Sequence, residues 1–176
     1  RPYLDEGWGV LLLAWRGFSG NAGSPSEQGL LIDGHAGLRW LAGQGFSRDR
    51  LVLYGESLGT GIAVPLAAEG AGRVLVLEAP YTSLDAVASV HYPFFFAGAL
   101  VTDRFDSLSR IGEVRLPVLI VHGEDDWVVP TRMGHKLFEA ANDPKESAFI
   151  AGAGHADLYD HGAAAAVIGF VRRHFA

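Results

Sequence analysis

Five short apolar segments, most of them followed by a segment with helical periodicity, constrain the fold of this chain more than any other feature. The predicted strands are residues 8–15, 50–55, 73–80, 116–123 and 147–154. The predicted helices are residues 26–43, 58–69, 131–141 and 156–175, with an irregular segment at 81–115. Strands that are apolar on both faces and alternate with helices predict a parallel sheet covered by helices on both sides. We therefore predict an α/β fold in which residues 1–176 form one domain.

The composition excludes several classes of function. The chain has 14 Lys and Arg against 20 Asp and Glu, and its longest basic run is Arg172–Arg173. Because binding to phosphates needs clustered positive charge, we predict no nucleic-acid partner. The absence of cysteine excludes disulfides, thiolate metal sites and cysteine nucleophiles, and it fits a cytoplasmic location. The longest apolar runs, 9–15 and 93–101, are too short to cross a bilayer, so we predict no transmembrane segment.

The pentad Gly-Glu-Ser-Leu-Gly at residues 55–59 lies between a predicted strand and a predicted helix. A serine at such a sharp turn is strained, and small residues at Gly55 and Gly59 are expected to let the two backbones pass. The turn presents the serine hydroxyl at the N-terminus of the helix, where negative charge is favoured. A bare pentad arises by chance in glycine-rich chains, so its setting between strand and helix is what identifies Ser57 as a candidate nucleophile.

A serine nucleophile needs a base to take its proton. In a fold that presents the serine between a strand and a helix, that base is expected to follow the acid in the chain. Three histidines follow the acidic residues 124–126 and also lie near or beyond the last predicted strand, namely His155, His161 and His174. Only His155 lies in a loop directly after a predicted strand, whereas the other two fall in the predicted C-terminal helix. His155 is therefore the predicted base.

The acid that orients the base has more than one candidate. Glu124, Asp125 and Asp126 follow the predicted strand 116–123, and only one of them can reach the imidazole of His155. Glu78, at the end of the strand 73–80, is a rival position. Ligands of parallel α/β sheets bind at the carboxyl ends of the strands, where all of these residues are expected to lie.

Several segments together resemble the α/β-hydrolase superfamily, and in particular its small lidless serine hydrolases of the prolyl-oligopeptidase-like and depalmitoylase-like branch. They are LAWRGFSGNAGSPSEQGLLIDGHAGLRWL, LYGESLGTGIAVPLA, LEAPYTSLDAVA, LPVLIVHGEDDWVVP and GAGHADL, and they span nearly the whole chain. The resemblance implies Ser57 as nucleophile, His155 as base and Asp126 as acid, the last from the motif His-Gly-x-x-Asp-x-x-Val-Pro at residues 122–130. It implies a structural role for His122.

The resemblance also implies an oxyanion hole built from two backbone N–H groups. One is the N–H of Leu58, directly after the nucleophile. The other belongs to a glycine-rich loop that this chain does not contain before residue 8, and the chain begins at Arg1 rather than Met. An interior strand of the family sheet is also missing, and unpaired backbone groups in a core are costly. We therefore expect this chain to be an excerpt that lacks upstream strands of the α/β-hydrolase fold.

The predicted function is hydrolysis of a carboxylic ester, thioester or amide through an acyl-enzyme intermediate, with a small-molecule or acyl substrate. A catalytically inactive scaffold with the same fold is the alternative, and a nucleotide-binding domain is a more remote one. No cofactor is expected, because Gly61 is followed by Ile62 rather than the Lys of a phosphate loop and no His-Glu-x-x-His zinc motif occurs.

Three further features flank the predicted site. Tyr81 and Trp127 are candidates to shape its pocket. The apolar connection at residues 91–101 could line an acyl pocket or touch a membrane surface, but packing over the edge of the sheet is the favoured interpretation.

Overall fold

The computed structural model describes residues 2–93 and 97–175 and contains a four-stranded parallel sheet. The strands are β1 (Val52–Glu56), β2 (Val74–Glu78), β3 (Val118–Gly123) and β4 (Lys145–Ile150), in the order β1-β2-β3-β4. Every residue of β2 and β3 is buried, as the apolar runs in the sequence predict for central strands. β4 is only half-buried because it lies at the edge of the sheet.

Eight helices connect and cover these strands in the described part of the chain. They are α1 (Pro2–Asp5), α2 (Glu27–Gly43), α3 (Thr60–Ala68), α4 (Leu84–His91), α5 (Ala97–Leu100), α6 (Ser107–Ile111), α7 (Arg132–Ala140) and α8 (Ala163–Phe175). Short 3-10 turns occupy Arg48–Arg50 and Ser57–Gly59. The helix α2 begins where the sequence predicts, because the Ser26 hydroxyl accepts a hydrogen bond from the N–H of Gly29 at 3.1 Å. Among these helices, none is both long enough and apolar enough to cross a bilayer.

Helices pack on both faces of the sheet, which confirms the predicted α/β architecture. On one face, Leu75, Leu77 and Ile120 pack with residues of α2, α3 and α7. On the other face, Val76 and Val121 pack with Val167 and other residues of α8. Alternate residues of one strand point to opposite faces, so each central strand contributes to both cores. Full burial of such a side chain stabilises the fold by about 1.5–3 kcal/mol.

Two predictions about the helices are wrong. The predicted helix 156–175 begins only at Ala163, because residues 156–162 form turns that end at Gly162 with φ +93°. The segment 81–115 is less irregular than the sequence suggests, since it contains α4, α5 and α6. These helices are too short to show a clear apolar period in the sequence.

The prediction of a strand at residues 8–15 is also wrong for the described structure. This segment pairs with no strand of residues 2–93 and 97–175, and β1 is the outermost strand on that side of the sheet. Its apolar side chains are largely exposed, with Leu12 at 87%. A strand is defined by hydrogen bonds to a neighbouring strand, and the apolar composition of 8–15 predicts burial without supplying that neighbour.

Candidate active site

Ser57 lies at a strained turn between β1 and α3. Its backbone has φ +47°, a conformation that non-glycine residues rarely adopt. A Cβ atom at Gly55 would lie 2.7 Å from both the Gly59 carbonyl oxygen and the Cα of Thr60, so only glycine fits there. At Gly59, by contrast, no described atom comes within 4 Å of an added Cβ apart from its chain neighbours and its own helix backbone. The expected need for a small residue therefore holds at Gly55 and fails at Gly59.

The structure brings Ser57, His155 and Asp126 into one chain of hydrogen bonds. The Nδ1 of His155 is 2.8 Å from Oδ2 of Asp126, and its Nε2 is 3.1 Å from Oγ of Ser57. Because a carboxylate only accepts, the neutral ring carries its proton on Nδ1 and leaves Nε2 to accept from the serine hydroxyl. This is the arrangement that a base needs in order to activate a serine.

The three residues meet because they follow three parallel strands of one sheet. Ser57 follows β1, Asp126 follows β3, and His155 lies in the loop after β4. The carboxyl ends of parallel strands lie at one edge, so residues 98 positions apart in the chain make a direct contact there.

The acidic cluster after β3 contributes one residue to this contact. Asp126 is buried, with 6% of its surface exposed, whereas Glu124 and Asp125 are exposed. The Oδ1 of Asp126 accepts hydrogen bonds from the N–H groups of Val128 at 2.9 Å and Val129 at 2.8 Å. These two bonds turn the carboxylate inward, and its second oxygen then faces His155.

The ionised form of Asp126 is favoured despite its burial. Burial by itself raises the pKa of this carboxyl, but hydrogen bonds from His122, His155 and the Val129 N–H lower it further than burial raises it. The pKa of Asp126 is therefore well below its ordinary value. An anionic Asp126 can balance positive charge on the imidazole of His155.

The pKa of His155 is raised above its ordinary value. The main cause is the hydrogen bond to Asp126, which outweighs the opposing effect of burial. Glu56 and Glu78 raise the pKa of His155 further through their negative charges. These two residues are partners in the register between β1 and β2, so both carboxylates lie at the same edge of the sheet as His155.

Glu78, the rival acid in the sequence, is placed differently. It is buried, with 3% exposed, and burial is the main cause that raises its pKa. Its hydrogen-bond donor is the hydroxyl of Tyr54, and the Tyr54 oxygen is 3.0 Å from the hydroxyl of Tyr159. Tyr54 lies three residues before Ser57 and Tyr159 four residues after His155. These two tyrosines were not predicted from the sequence, although each lies within four residues of Ser57 or His155 along the chain.

The other residues predicted near the site lie in different settings. Leu58 is the second residue of the turn Ser57–Gly59, and its carbonyl oxygen accepts a hydrogen bond from the buried Tyr81 hydroxyl at 3.2 Å. The Tyr81 hydroxyl therefore helps to hold the turn at Ser57–Gly59 in place. Trp127 follows Asp126 directly and is 78% exposed.

The apolar connection at residues 91–101 touches the acid loop at its start. The Nε2 of His91 is 2.8 Å from the carbonyl oxygen of Val128. Tyr92 and Leu100 are exposed, so neither packs over the edge of the sheet. Residues 94–96 lie outside the described residues, and they form part of the segment that the sequence suggests as a lining of an acyl pocket.

The remaining histidine candidates are not at this site. The Nε2 of His161 lies 3.7 Å from Oδ2 of Asp157, and the Nε2 of His174 lies 3.8 Å from Oε1 of Glu146. The residues described by the structure include no cluster of three or more His, Asp or Glu that could hold a metal ion. The hydrogen bonds that link Asp126, His155 and Ser57 can support nucleophilic attack by Ser57 with proton transfer to His155.

Known proteins are similar to this chain in sequence and in fold. An uncharacterized protein of Mycobacterium tuberculosis is 43% identical over 152 residues, which cover 86% of this chain and 54% of that protein. Alpha/beta hydrolase domain-containing protein 17B of Homo sapiens is 33% identical over 153 residues, which cover 84% of this chain and 50% of that protein. The chain thus spans about half the length of the curated relatives it matches.

Solved structures extend the similarity to the whole fold. An esterase of Pyrococcus furiosus superimposes with a TM-score of 0.81 over 99% of this chain and 73% of its own, at 19% sequence identity. At this identity, the superposition establishes a shared fold. No protein-family model matches the chain.

Proposed function

This chain belongs to the α/β-hydrolase superfamily, and on that premise we propose that it is a serine hydrolase acting through an acyl-enzyme intermediate. Its substrate is a carboxylic ester, thioester or amide. The observation that carries the proposal is the chain of hydrogen bonds from Asp126 through His155 to Ser57. The proposal also draws on the strained backbone of Ser57, which holds its hydroxyl at the start of a helix.

Acylation begins with attack of Ser57 Oγ on the carbonyl carbon of the substrate. As the new C–O bond forms, the hydroxyl proton passes to Nε2 of His155, and the carbonyl electrons move to the oxygen. Collapse of this intermediate breaks the bond to the leaving group, which takes the proton from Nε2. Asp126 accepts the Nδ1–H of His155 throughout and stabilises the positive imidazolium that forms between these steps.

Deacylation repeats the same proton transfers with water as nucleophile. Water attacks the acyl carbon and gives its proton to Nε2 of His155. The bond to Ser57 then breaks, and Oγ takes the proton back, so the acid product leaves and the enzyme is restored. Each half-reaction therefore uses His155 first as a base and then as an acid.

The oxyanion that forms in both steps needs hydrogen-bond donors. The N–H of Leu58 is the donor proposed within this chain, because the first N–H groups of a helical turn have no partner inside it. Leu58 directly follows the nucleophile, so its N–H lies on the same turn as Ser57 Oγ. One such donor contributes about 10²–10³-fold to the rate in a characterised serine protease.

A covalent probe tests the proposal most directly. A fluorophosphonate is expected to form an adduct on Ser57 that mass spectrometry locates, because activated Oγ displaces fluoride from phosphorus. Ser57→Ala should abolish the adduct and the hydrolysis of p-nitrophenyl esters. Ser19→Ala is the matched control, since Ser19 also has a positive φ, of +53°, but lies in an exposed loop. Absence of an adduct on Ser57 in the wild-type protein would refute the proposal and favour the inactive scaffold.

Hydrolysis of p-nitrophenyl esters also narrows the class of substrate. Measuring kcat/KM for a series of these esters shows which acyl chain length the site prefers. An ester is the rational first substrate because the Pyrococcus furiosus structure with the same fold is an esterase. Thioester and amide analogues of the preferred acyl group then separate the three reaction types.

A further inference from the structure

A second histidine, His122, contacts the carboxylate of Asp126. His122, on β3, is fully buried, and its Nε2 lies 2.8 Å from the carbonyl oxygen of Val129 and 3.3 Å from Oδ2 of Asp126. The mechanism above does not use this residue. It is the one polar side chain in the buried strand VLIVHG.

The contacts of His122 determine which nitrogen carries its proton. A carbonyl oxygen can only accept, so Nε2 must carry the hydrogen. Nδ1 is buried without a hydrogen-bond partner among the described residues. On that side the helix α7 closes over the ring, since an added Cβ at Gly134 would lie 2.5 Å from Nδ1. The hydrogen on Nε2 is therefore directed at Val129 and Asp126, and Nδ1 faces α7.

We propose that His122 is a positioning residue for Asp126, and this proposal rests on the function proposed above. Its Nε2–H is shared between the Val129 carbonyl and Oδ2 of Asp126. This hydrogen couples the acid loop to the end of β3 and holds Oδ2 towards His155. His122 touches no reacting atom and acts only through Asp126.

The polar contacts of the carboxylate support this role. An ionised carboxylate has about four acceptor sites, two on each oxygen. Oδ1 of Asp126 accepts hydrogen bonds from the N–H groups of Val128 and Val129. Oδ2 is hydrogen-bonded to His155, and Nε2 of His122 lies 3.3 Å from the same Oδ2. Each oxygen therefore faces two nitrogen atoms, which together favour one orientation of the carboxylate. Removing the donor of His122 leaves Oδ2 with a single partner and allows the carboxylate to rotate away from His155.

Two substitutions separate positioning from packing. His122→Leu keeps a buried side chain of similar size but has no donor. His122→Gln carries an N–H at a reach close to that of the imidazole Nε2. We expect His122→Leu to lower kcat by about 10–100-fold, the range seen when outer-shell partners of metal ligands are removed. KM should change little because residue 122 does not touch substrate, and His122→Gln should recover part of kcat.

The pH profile provides a readout that loss of packing alone would not change. The charged groups that face His155 are Asp126 from the loop after β3, Glu56 at the end of β1 and Glu78 at the end of β2. Only the contact with Asp126 changes in His122→Leu. On the acid side of the pH profile, kcat/KM falls as His155 becomes protonated; we call this fall the acidic limb. A weaker bond from Asp126 stabilises the imidazolium less, so the acidic limb should move to lower pH in His122→Leu. The movement should be much smaller in His122→Gln.

A measurement that does not need turnover keeps this proposal separate from the proposed function. Proton NMR detects the Nδ1–H of His155, which resonates far downfield while it is bound to Asp126. We expect this signal to move upfield in His122→Leu and to stay near its wild-type position in His122→Gln. The expectation holds even if wild-type Ser57 proves unreactive.

The proposal fails if His122→Leu folds and retains the wild-type kcat, acidic limb and downfield signal. It also fails if His122→Gln loses as much as His122→Leu in all three measurements, because the donor would then not matter. If His122→Leu does not fold, His122→Asn replaces it, since its shorter amide stays polar but cannot reach Asp126.

Discussion

Replacing Asp126 by Asn tests the proposed catalytic chain where the structure is most specific. The N–H groups of Val128 and Val129 both point at Oδ1. In the Asn variant the amide oxygen must take this place, which turns the NH₂ group towards His155. An NH₂ group donates, so the ring must present an unprotonated Nδ1 and carry its proton on Nε2. Nε2 can then no longer accept the proton of Ser57.

The expected magnitude follows from this change of tautomer. The corresponding change in a characterised serine protease lowers kcat by about 10⁴-fold, which corresponds to about 5.5 kcal/mol of activation free energy. We expect a loss of similar size here. KM should remain within a few-fold of the wild-type value, because the carboxylate is buried and does not reach the substrate.

The assay is steady-state hydrolysis of a p-nitrophenyl ester, with Asp125→Asn as the control. Asp125 precedes Asp126 and has the same charge, but it is exposed. Asp125→Asn should keep the wild-type kcat. The reasoning is refuted if Asp126→Asn retains kcat within about tenfold of wild type, or if both variants lose the same amount. If only the double variant of Asp126→Asn with Glu78→Gln is inactive, the acid role passes to Glu78.

Three further predictions concern the turn, the charges near the base and the pH dependence of folding. Gly55→Ala should lower the free energy of unfolding by about 1–3 kcal/mol in denaturant melts, because its Cβ would lie 2.7 Å from backbone atoms of Gly59 and Thr60. Gly59→Ala, at φ −62° and in open space, should be close to neutral, and equal effects of the two would contradict the argument. Glu78→Gln removes a negative charge that favours the imidazolium of His155, so the acidic limb of kcat/KM should move to lower pH; a move to higher pH would contradict this sign. Since the folded-state pKa of His155 is raised, the stability that it contributes is present below about pH 6.5 and is lost as pH rises through its folded-state pKa. The difference in Tm between wild type and His155→Gln should therefore be larger at pH 5.5 than at pH 9.

Most of the sheet could be predicted from the sequence because its strands are local patterns. The apolar runs that contain β1, β2 and β3 mark strands buried on both faces, and the structure shifts their bounds by one or two residues. The segment 8–15 has an equally strong apolar pattern and forms no strand in the described structure. An apolar run reports a tendency towards burial, while a strand also needs a neighbour with matching hydrogen bonds.

The sequence by itself determined the chain order of the proposed serine, acid and histidine, and the need for glycine at position 55 in the turn before Ser57. These properties are local in the sequence. At position 55, for example, side chains larger than glycine are excluded by backbone atoms of Gly59 and Thr60, only four and five residues away. Spacing alone left Glu78 and three adjacent carboxylates as candidates for the proposed acid, and the resemblance of residues 122–130 to the α/β-hydrolase motif favoured Asp126. Their side chains are chemically alike, and a sequence carries no direct record of which one turns inward.

Only the tertiary structure shows which of these carboxylates contacts His155. The N–H groups of Val128 and Val129 turn Asp126 towards His155, and Tyr54 holds Glu78 in a separate contact. The structure also brought His122 against Asp126. Such contacts depend on the orientation of single side chains and on distances of a few ångströms. Both are set by the packing of strands and helices that are distant in the sequence.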